Sequence, residues 1–225
     1  MKKKYLTLAI IFAVTSCLFF VYAGTDRQVN TPISLSEIQL TNKNKKLVAY
    51  FTWPEPDGVD ASSGASRVVA EGKVYGNTEY VAQMISRQTG ADLFAIQTVR
   101  TYPSPHRPLI EAAKKEAEAN ERPQLKKRIE NLSDYDVIFV GYPNWWYDMP
   151  MVIYTFFDEY DFSGKTIIPF VTHGGSRFSQ SVETIKEMEK SATVIQGPSV
   201  AGRNVPDAEE SIKAWLENQG FLTKE

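Results

Sequence analysis

The sequence predicts a single α/β domain, a doubly wound five-stranded parallel sheet in the strand order 2-1-3-4-5, and three observations carry that expectation. Apolar segments of strand length alternate with helix-patterned segments from residue 46 onward, the pattern that winds helices over both faces of a parallel sheet. The central segment, Val137–Val140 inside Asp136–Tyr147, is apolar without alternation, as a strand buried on both faces requires. The chain has 225 residues, 43% hydrophobic and 23% charged, enough for one sizeable core.

The first segment, residues 1–23, stands apart from the domain. Lys2-Lys3-Lys4 precedes an apolar run from Leu6 to about Tyr22, the layout of an export signal. Three readings are open: cleavage after Val21-Tyr22-Ala23, lipidation of Cys17 in a bacterial lipoprotein-like Val14-Thr15-Ser16-Cys17, or an uncleaved anchor, which takes roughly 18–20 apolar residues. Each implies a protein exported or anchored at a membrane, extracytoplasmic and bacterial, with membrane contact only through this segment. Residues 24–45 are polar and read as a linker. The net charge of −2 offers no basic field for nucleic acid. Cys17 is the one cysteine, so the domain at 46–222 has neither disulfide nor thiol nucleophile.

Leu47–Trp53 is rich in β-formers and ends at Pro54, giving the first strand. Residues 54–75 form an insertion: turn chemistry up to Ser66, then Arg67–Ala70 and Lys73–Tyr75 as arms of a small hairpin about Glu71-Gly72. Asn77 or Thr78 caps a helix with Val81, Met84 and Ile85 on one face, and Thr89-Gly90 stops it. Ala91–Val99 is the second strand. Helices follow at Leu109 to about Asn120 and, behind Pro123, at Gln124–Asn131. The third strand is Val137–Val140, broken by Gly141 and Pro143. Pro150–Phe157 is an apolar helix, Thr166–Thr172 the fourth strand, Ser179 to about Lys190 a helix, Ala192–Gln196 the fifth strand and Pro206–Gln219 the last helix.

Chemistry concentrates at the ends of strands 1, 3 and 4, which are neighbours in the predicted order. In open α/β sheets, ligands bind beyond the carboxyl ends of the strands. Near strand 1, Thr52, Trp53, Gly76, Asn77 and Thr78 surround a helix start, where free N–H groups and the helix dipole favour an anion. After strand 3 come Pro143, Asn144, Trp145, Trp146 and Tyr147, aromatic walls for a flat molecule. After strand 4 come Thr172, His173, Gly174 and Gly175, where glycines permit close backbone approach. An anion cradle between aromatic and glycine-rich walls suits a phosphorylated planar ligand.

These residues carry a resemblance. Val48–Thr52 with Gly76-Asn77-Thr78, Gly141–Trp146 and Phe170–Ser176 together resemble the flavodoxin family, in its bacterial branch with Pro-x-Trp-Trp and Thr-His-Gly-Gly-Ser loops, over about residues 46–220. The resemblance implies a flavodoxin-like fold and FMN as a non-covalent cofactor. Its phosphate would lie on Thr52, Asn77 and Thr78 and its ring against Pro143–Tyr147 and Thr172–Gly175. The family's phosphate loop is contiguous; here residues 54–75 interrupt it, and Ser62, Ser63 or Ser66 could contribute. The implied function is electron transfer through the flavin to an unidentified redox partner or small-molecule acceptor, as a carrier or an NAD(P)H-dependent oxidoreductase. The alternative is an exported, non-catalytic binding protein that uses the pocket for another phosphate-bearing ligand or a partner.

Overall fold

The computed structural model describes residues 45–54, 66–70 and 72–222. The leader, the linker up to residue 44, and Ser62 and Ser63 of the insertion lie outside the described residues. Strands β1 (Lys46–Tyr50), β2 (Arg67–Ala70), β3 (Lys73–Gly76), β4 (Asp92–Ala95), β5 (Val137–Pro143), β6 (Thr166–His173), β7 (Thr193–Val194) and β8 (Ser199–Ala201) alternate with helices α1 (Asn77–Thr89), α2 (His106–Glu118), α3 (Met151–Glu159), α4 (Ser181–Met188) and α5 (Glu209–Asn218). The main sheet runs β4-β1-β5-β6-β7, with β8 also on β6, and every pair in it is parallel. β2 and β3 pair antiparallel, as the expected hairpin does. No helix among the described residues is long and apolar enough to cross a membrane.

The strands' period of two sorts the core into two layers. Leu47, Ala49, Ile138, Val140, Ile167 and Val171 point to one face and pack with Leu109 of α2, Val152, Ile153 and Phe156 of α3, and Val182 and Ile185 of α4. Val48, Val137, Phe139, Ile168 and Phe170 point to the other, against Val81, Met84 and Ile85 of α1 and Ile212 and Leu216 of α5. Each of these buried Val, Leu, Ile, Met and Phe side chains contributes about 1.5–3 kcal/mol. An unbroken apolar run is therefore what a strand with a helical layer on each side must carry.

Three expectations are corrected. Gly141 and Pro143 do not end the third strand, because β5 continues through both. A Cβ on residue 141 would lie 2.1 Å from the Phe170 ring, so Gly141 admits that ring across the sheet. Phe51 N donates to Gly141 O at 2.9 Å. Pro143, two residues on, turns its missing N–H to the same side, past the last residue of β1.

The fifth strand is divided. Thr193 pairs with Thr166, but Ser199 pairs with Val171, so the register slips by one residue between β7 and β8. Gly197 N donates to Pro169 O at 2.9 Å, and Val171 N donates to Pro198 O at 3.0 Å. Pro169 has no N–H to return on that side, and the ladder takes up the gap as a bulge.

Gln124–Asn131 is not a helix. Leu125 is buried and bridges Thr98 in antiparallel fashion, with Val99 N donating to Gln124 O and Lys126 N donating to Gln97 O. Ile129 N donates to the Tyr160 hydroxyl at 2.7 Å. The segment's N–H groups are thus used along an open sheet edge, and burial of Leu125 outweighs a helix propensity of tenths of a kcal/mol per residue.

Glu189, just beyond α4, faces Asp161 and Asp158; burial first, then those two charges, push its carboxyl up to about 7. The folded state therefore holds a proton that the unfolded chain releases near pH 4.3, and stability falls as pH rises from there to 7. Because Glu189 is only half-buried, solvent screening reduces the effect to about 1 kcal/mol. Glu189→Gln should raise the free energy of urea unfolding at pH 8 by that amount and leave it unchanged at pH 4; an equal gain at both values would contradict the carboxylate cluster.

Candidate functional site

The ends of β1, β5 and β6 and the start of α1 meet at the carboxyl edge of the sheet. Thr78, in the first turn of α1, and Thr172, near the end of β6, are both almost wholly buried, and their hydroxyl oxygens are 2.7 Å apart. That bond ties α1 to a strand 94 residues away. Gly76 lies against Thr52: a Cβ at residue 76 would sit 1.9 Å from Thr52 Oγ1. The two parts of the interrupted loop are therefore in contact, and only glycine permits that approach. Asn77 N donates to Ser66 O at 3.0 Å, and Gly76 N donates to Glu79 Oε2 at 3.3 Å, so the hairpin leads straight into α1.

Asn144 joins the second and third loops. Its N–H donates to Thr172 O at 2.8 Å, its Oδ1 accepts from Ser176 Oγ at 3.0 Å, and its Nδ2 donates to Arg177 O at 2.9 Å and Ser179 Oγ at 3.3 Å. Ser176 closes the Thr-His-Gly-Gly-Ser loop noted in the sequence, whereas Arg177 and Ser179 also belong to the site's framework but had no signal in the sequence beyond the glycines before them.

The aromatic stretch divides by environment. Tyr142 is fully buried and its hydroxyl is 2.8 Å from Ser181 Oγ. Trp145 is half-buried, edge-on to Phe51 at 5.4 Å and Tyr102 at 5.3 Å between ring centroids. Trp53 meets Tyr102 at 5.6 Å and donates from Nε1 to Pro103 O at 3.2 Å. Sequence reasoning missed Tyr102, a lone aromatic in a Pro-rich turn. It fills the centre of this cluster and donates to Glu116 Oε2 at 2.8 Å.

Trp146 and Tyr147 are exposed, at 49% and 70%, because they form the two central residues of a tight turn. Trp145 N donates to Asp148 O at 2.9 Å and Asp148 N to Trp145 O at 3.0 Å. The φ angles of 53° and 65° at Trp146 and Tyr147 are those of a turn that normally takes Asn-Gly. Left-handed backbone costs a non-glycine residue about 1–2 kcal/mol, and the surroundings hold it in place. Asp148 accepts from Met149 N, Tyr154 Oη and Gln180 Nε2, and Trp146 Nε1 donates to Ile110 O at 2.9 Å.

In the third loop Gly174 and Gly175 are exposed, whereas His173 is 6% exposed. Burial first, then the charges of Arg177 and Arg203, hold its imidazole below the ordinary histidine range, which keeps it neutral at neutral pH. Among the described residues no group of three or more His, Cys, Asp and Glu is placed to hold a metal ion.

A family model described as flavodoxin matches residues 66–219. The chain belongs to the flavodoxin family. The match starts after β1 and contains all three strand-end loops except Thr52 and Trp53. No functionally curated protein matches the chain. Among solved structures, a Bacteroides eggerthii protein designated a flavoprotein is 28% identical, with 78% of this chain and 97% of that one covered and a TM-score of 0.58. A similarly designated protein of Bacteroides uniformis is 24% identical over 77% and 98%, with the same TM-score. A Lactobacillus acidophilus flavoprotein in complex with FMN is 17% identical over 73% and 97%, with a TM-score of 0.52; at that identity it shares the fold.

The Thr78–Thr172 bond gives the site's framework a direct test. Thr78→Val keeps the side chain's shape but leaves the Thr172 hydroxyl buried without this partner, which should cost about 1–3 kcal/mol in urea unfolding. Adding Thr172→Val should recover most of the loss; additive losses would mean that the hydroxyls do not interact.

Proposed function

We propose that this flavodoxin-family protein binds FMN without a covalent bond and works as a redox protein. The observation that carries this is the convergence of three loops at one edge of the sheet. Thr52 and Gly76 are in contact, Thr78 is bonded to Thr172, and Asn144 joins the aromatic turn to the glycine loop. The residues fit the cofactor in kind. The Gly76 and Asn77 N–H groups are taken by Glu79 Oε2 and Ser66 O, which leaves the Thr52 hydroxyl and the rest of the first turn of α1 for a phosphate. Trp146 and Tyr147 present exposed rings on a rigid turn, the Trp146 ring with Lys114 Nζ over it at 5.5 Å. When bound, FMN supplies reversible electron and hydride chemistry that no protein side chain provides.

Within this reading the residues have distinct tasks. Thr52, Gly76, Asn77 and Thr78 form the phosphate side. Thr78, whose hydroxyl is engaged by Thr172, positions the loop. Pro143–Tyr147 and Thr172–Gly175 flank the ring. Trp145, packed on Phe51 and Tyr102, anchors the turn from below, while Trp146 and Tyr147 meet the ring. A neutral His173 adds no positive charge to that side of the ring. The amino-terminal segment supports export or membrane anchoring, and an export signal favours electron transfer outside the cytoplasm. Turnover of NAD(P)H with a quinone marks a reductase; its absence marks a carrier.

The purified protein should be yellow or, if colourless, should quench the fluorescence of added FMN with one-to-one stoichiometry. Trp146→Ala and Tyr147→Gly should each weaken FMN about tenfold, the loss of one aromatic contact of about 1–1.5 kcal/mol. Tyr147→Gly should at the same time raise thermal stability by relieving the left-handed backbone. A colourless protein that leaves FMN fluorescence unchanged would defeat the flavin reading.

A further inference from the structure

Beside the third loop lies a cavity whose lining reaches past the residues assigned to the flavin. It has a volume of about 710 Å³ and opens between the His173–Ser179 segment, β8 and the short helical turn at Gly202–Asp207. That volume is in the range of small-molecule sites. His173, Arg177, Phe178, Gln196, Arg203 and Asn204 are among its lining residues, and no Asp or Glu lines it. In a chain of net charge −2, a concavity with two guanidinium groups and no carboxylate is a local reversal of sign.

Two further features point to a ligand. Arg177 and Arg203 are exposed and make no ion pair among the described residues. Elsewhere Arg87, Arg100, Arg122 and Arg128 each meet a carboxylate, while the exposed Arg107 makes no ion pair among the described residues. Arg177 and Ser179 also hold left-handed backbone, with φ of 54° and 50°, and Asn144 pins both residues. Strain kept in place by hydrogen bonds is a mark of a loop shaped for a purpose other than its own stability.

The geometry points to this cavity as a binding site for the oxyanion group, carboxylate or phosphate, of a small molecule. Arg177 and Arg203 supply its counter-charges. Guanidinium groups suit both anions because their paired N–H donors match two oxygens at once. Phe178, itself buried, offers an apolar wall for the rest of the ligand. The site shares His173, Gly175 and Ser176 with the loop assigned to the flavin ring. Its role as the anchor of an electron donor or acceptor rests on the flavin reading; oxyanion binding itself does not.

The chain has two histidines, His106 and His173, so their ring resonances in NMR report the site cleanly. The full-length protein, once without FMN and once with it, is titrated with sodium benzoate and, separately, with inorganic phosphate, at constant ionic strength in sodium chloride. The expected result is a saturable shift of the His173 resonance while His106 stays fixed. Arg177→Gln and Arg203→Gln should each weaken binding about tenfold, as for loss of one charge-assisted hydrogen bond. A response to benzoate alone assigns the site to a carboxylate, and a response to phosphate alone to a phosphate ester. A His173 resonance that neither anion moves, or variants that titrate like the wild type, would overturn the proposal. Saturation in a protein that takes up no FMN would keep the site and refute the flavin reading.

Discussion

The hydrogen bond between the hydroxyls of Thr78 and Thr172 is the constraint on which the carboxyl edge of this molecule depends. It lies inside the protein, where an unsatisfied hydroxyl is costly, so α1 and β6 hold a fixed relation at that edge. The first turn of α1 then presses Gly76 onto Thr52, and the end of β6 accepts the Asn144 amide. From Asn144 the chain enters the turn that carries Trp146 and Tyr147. The Thr52–Gly76 contact, the aromatic turn and the glycine loop are thereby set by one short chain of contacts that runs across β1, β5 and β6.

The hairpin β2–β3 shows how a family loop tolerates an insertion. Its two ends return to nearly the same place, because Ser66 O accepts from Asn77 N and residue 76 touches Thr52. A loop whose ends already meet adds length at small entropic cost. The interruption that the sequence presents between Trp53 and Gly76 is thus closed in space, and the helix start keeps its position beside the end of β1.

Much of this was legible in the sequence because it follows from repeating patterns. Val137–Val140 reads as a strand with both faces buried, and the two core layers bear that out through the alternation of Ile138 and Val140 with Val137 and Phe139. What escaped is what depends on partners distant in the chain. Gly141 reads as a breaker until Phe170 is seen across it, and Gln124–Asn131 reads as a helix until its N–H groups are traced to Gln97 and Tyr160. Pro169 gives no sign in isolation that it will split the neighbouring strand. The three strand-end loops were found from their residue types, but not the division of labour within the aromatics. Burial of Tyr142, anchoring of Trp145 by Tyr102 and exposure of Trp146 and Tyr147 are set by a turn whose residues are atypical for it.

The account stands on one claim, that these loops act together on a single bound molecule. Amide hydrogen exchange of the protein with and without FMN tests it most directly. The account predicts slower exchange with FMN at residues 52–53, 76–78, 144–147 and 172–176 together, with the β4 edge at residues 97–99 and 124–126 unchanged. Protection at only one of the loops, or at the sheet edge instead, would contradict it.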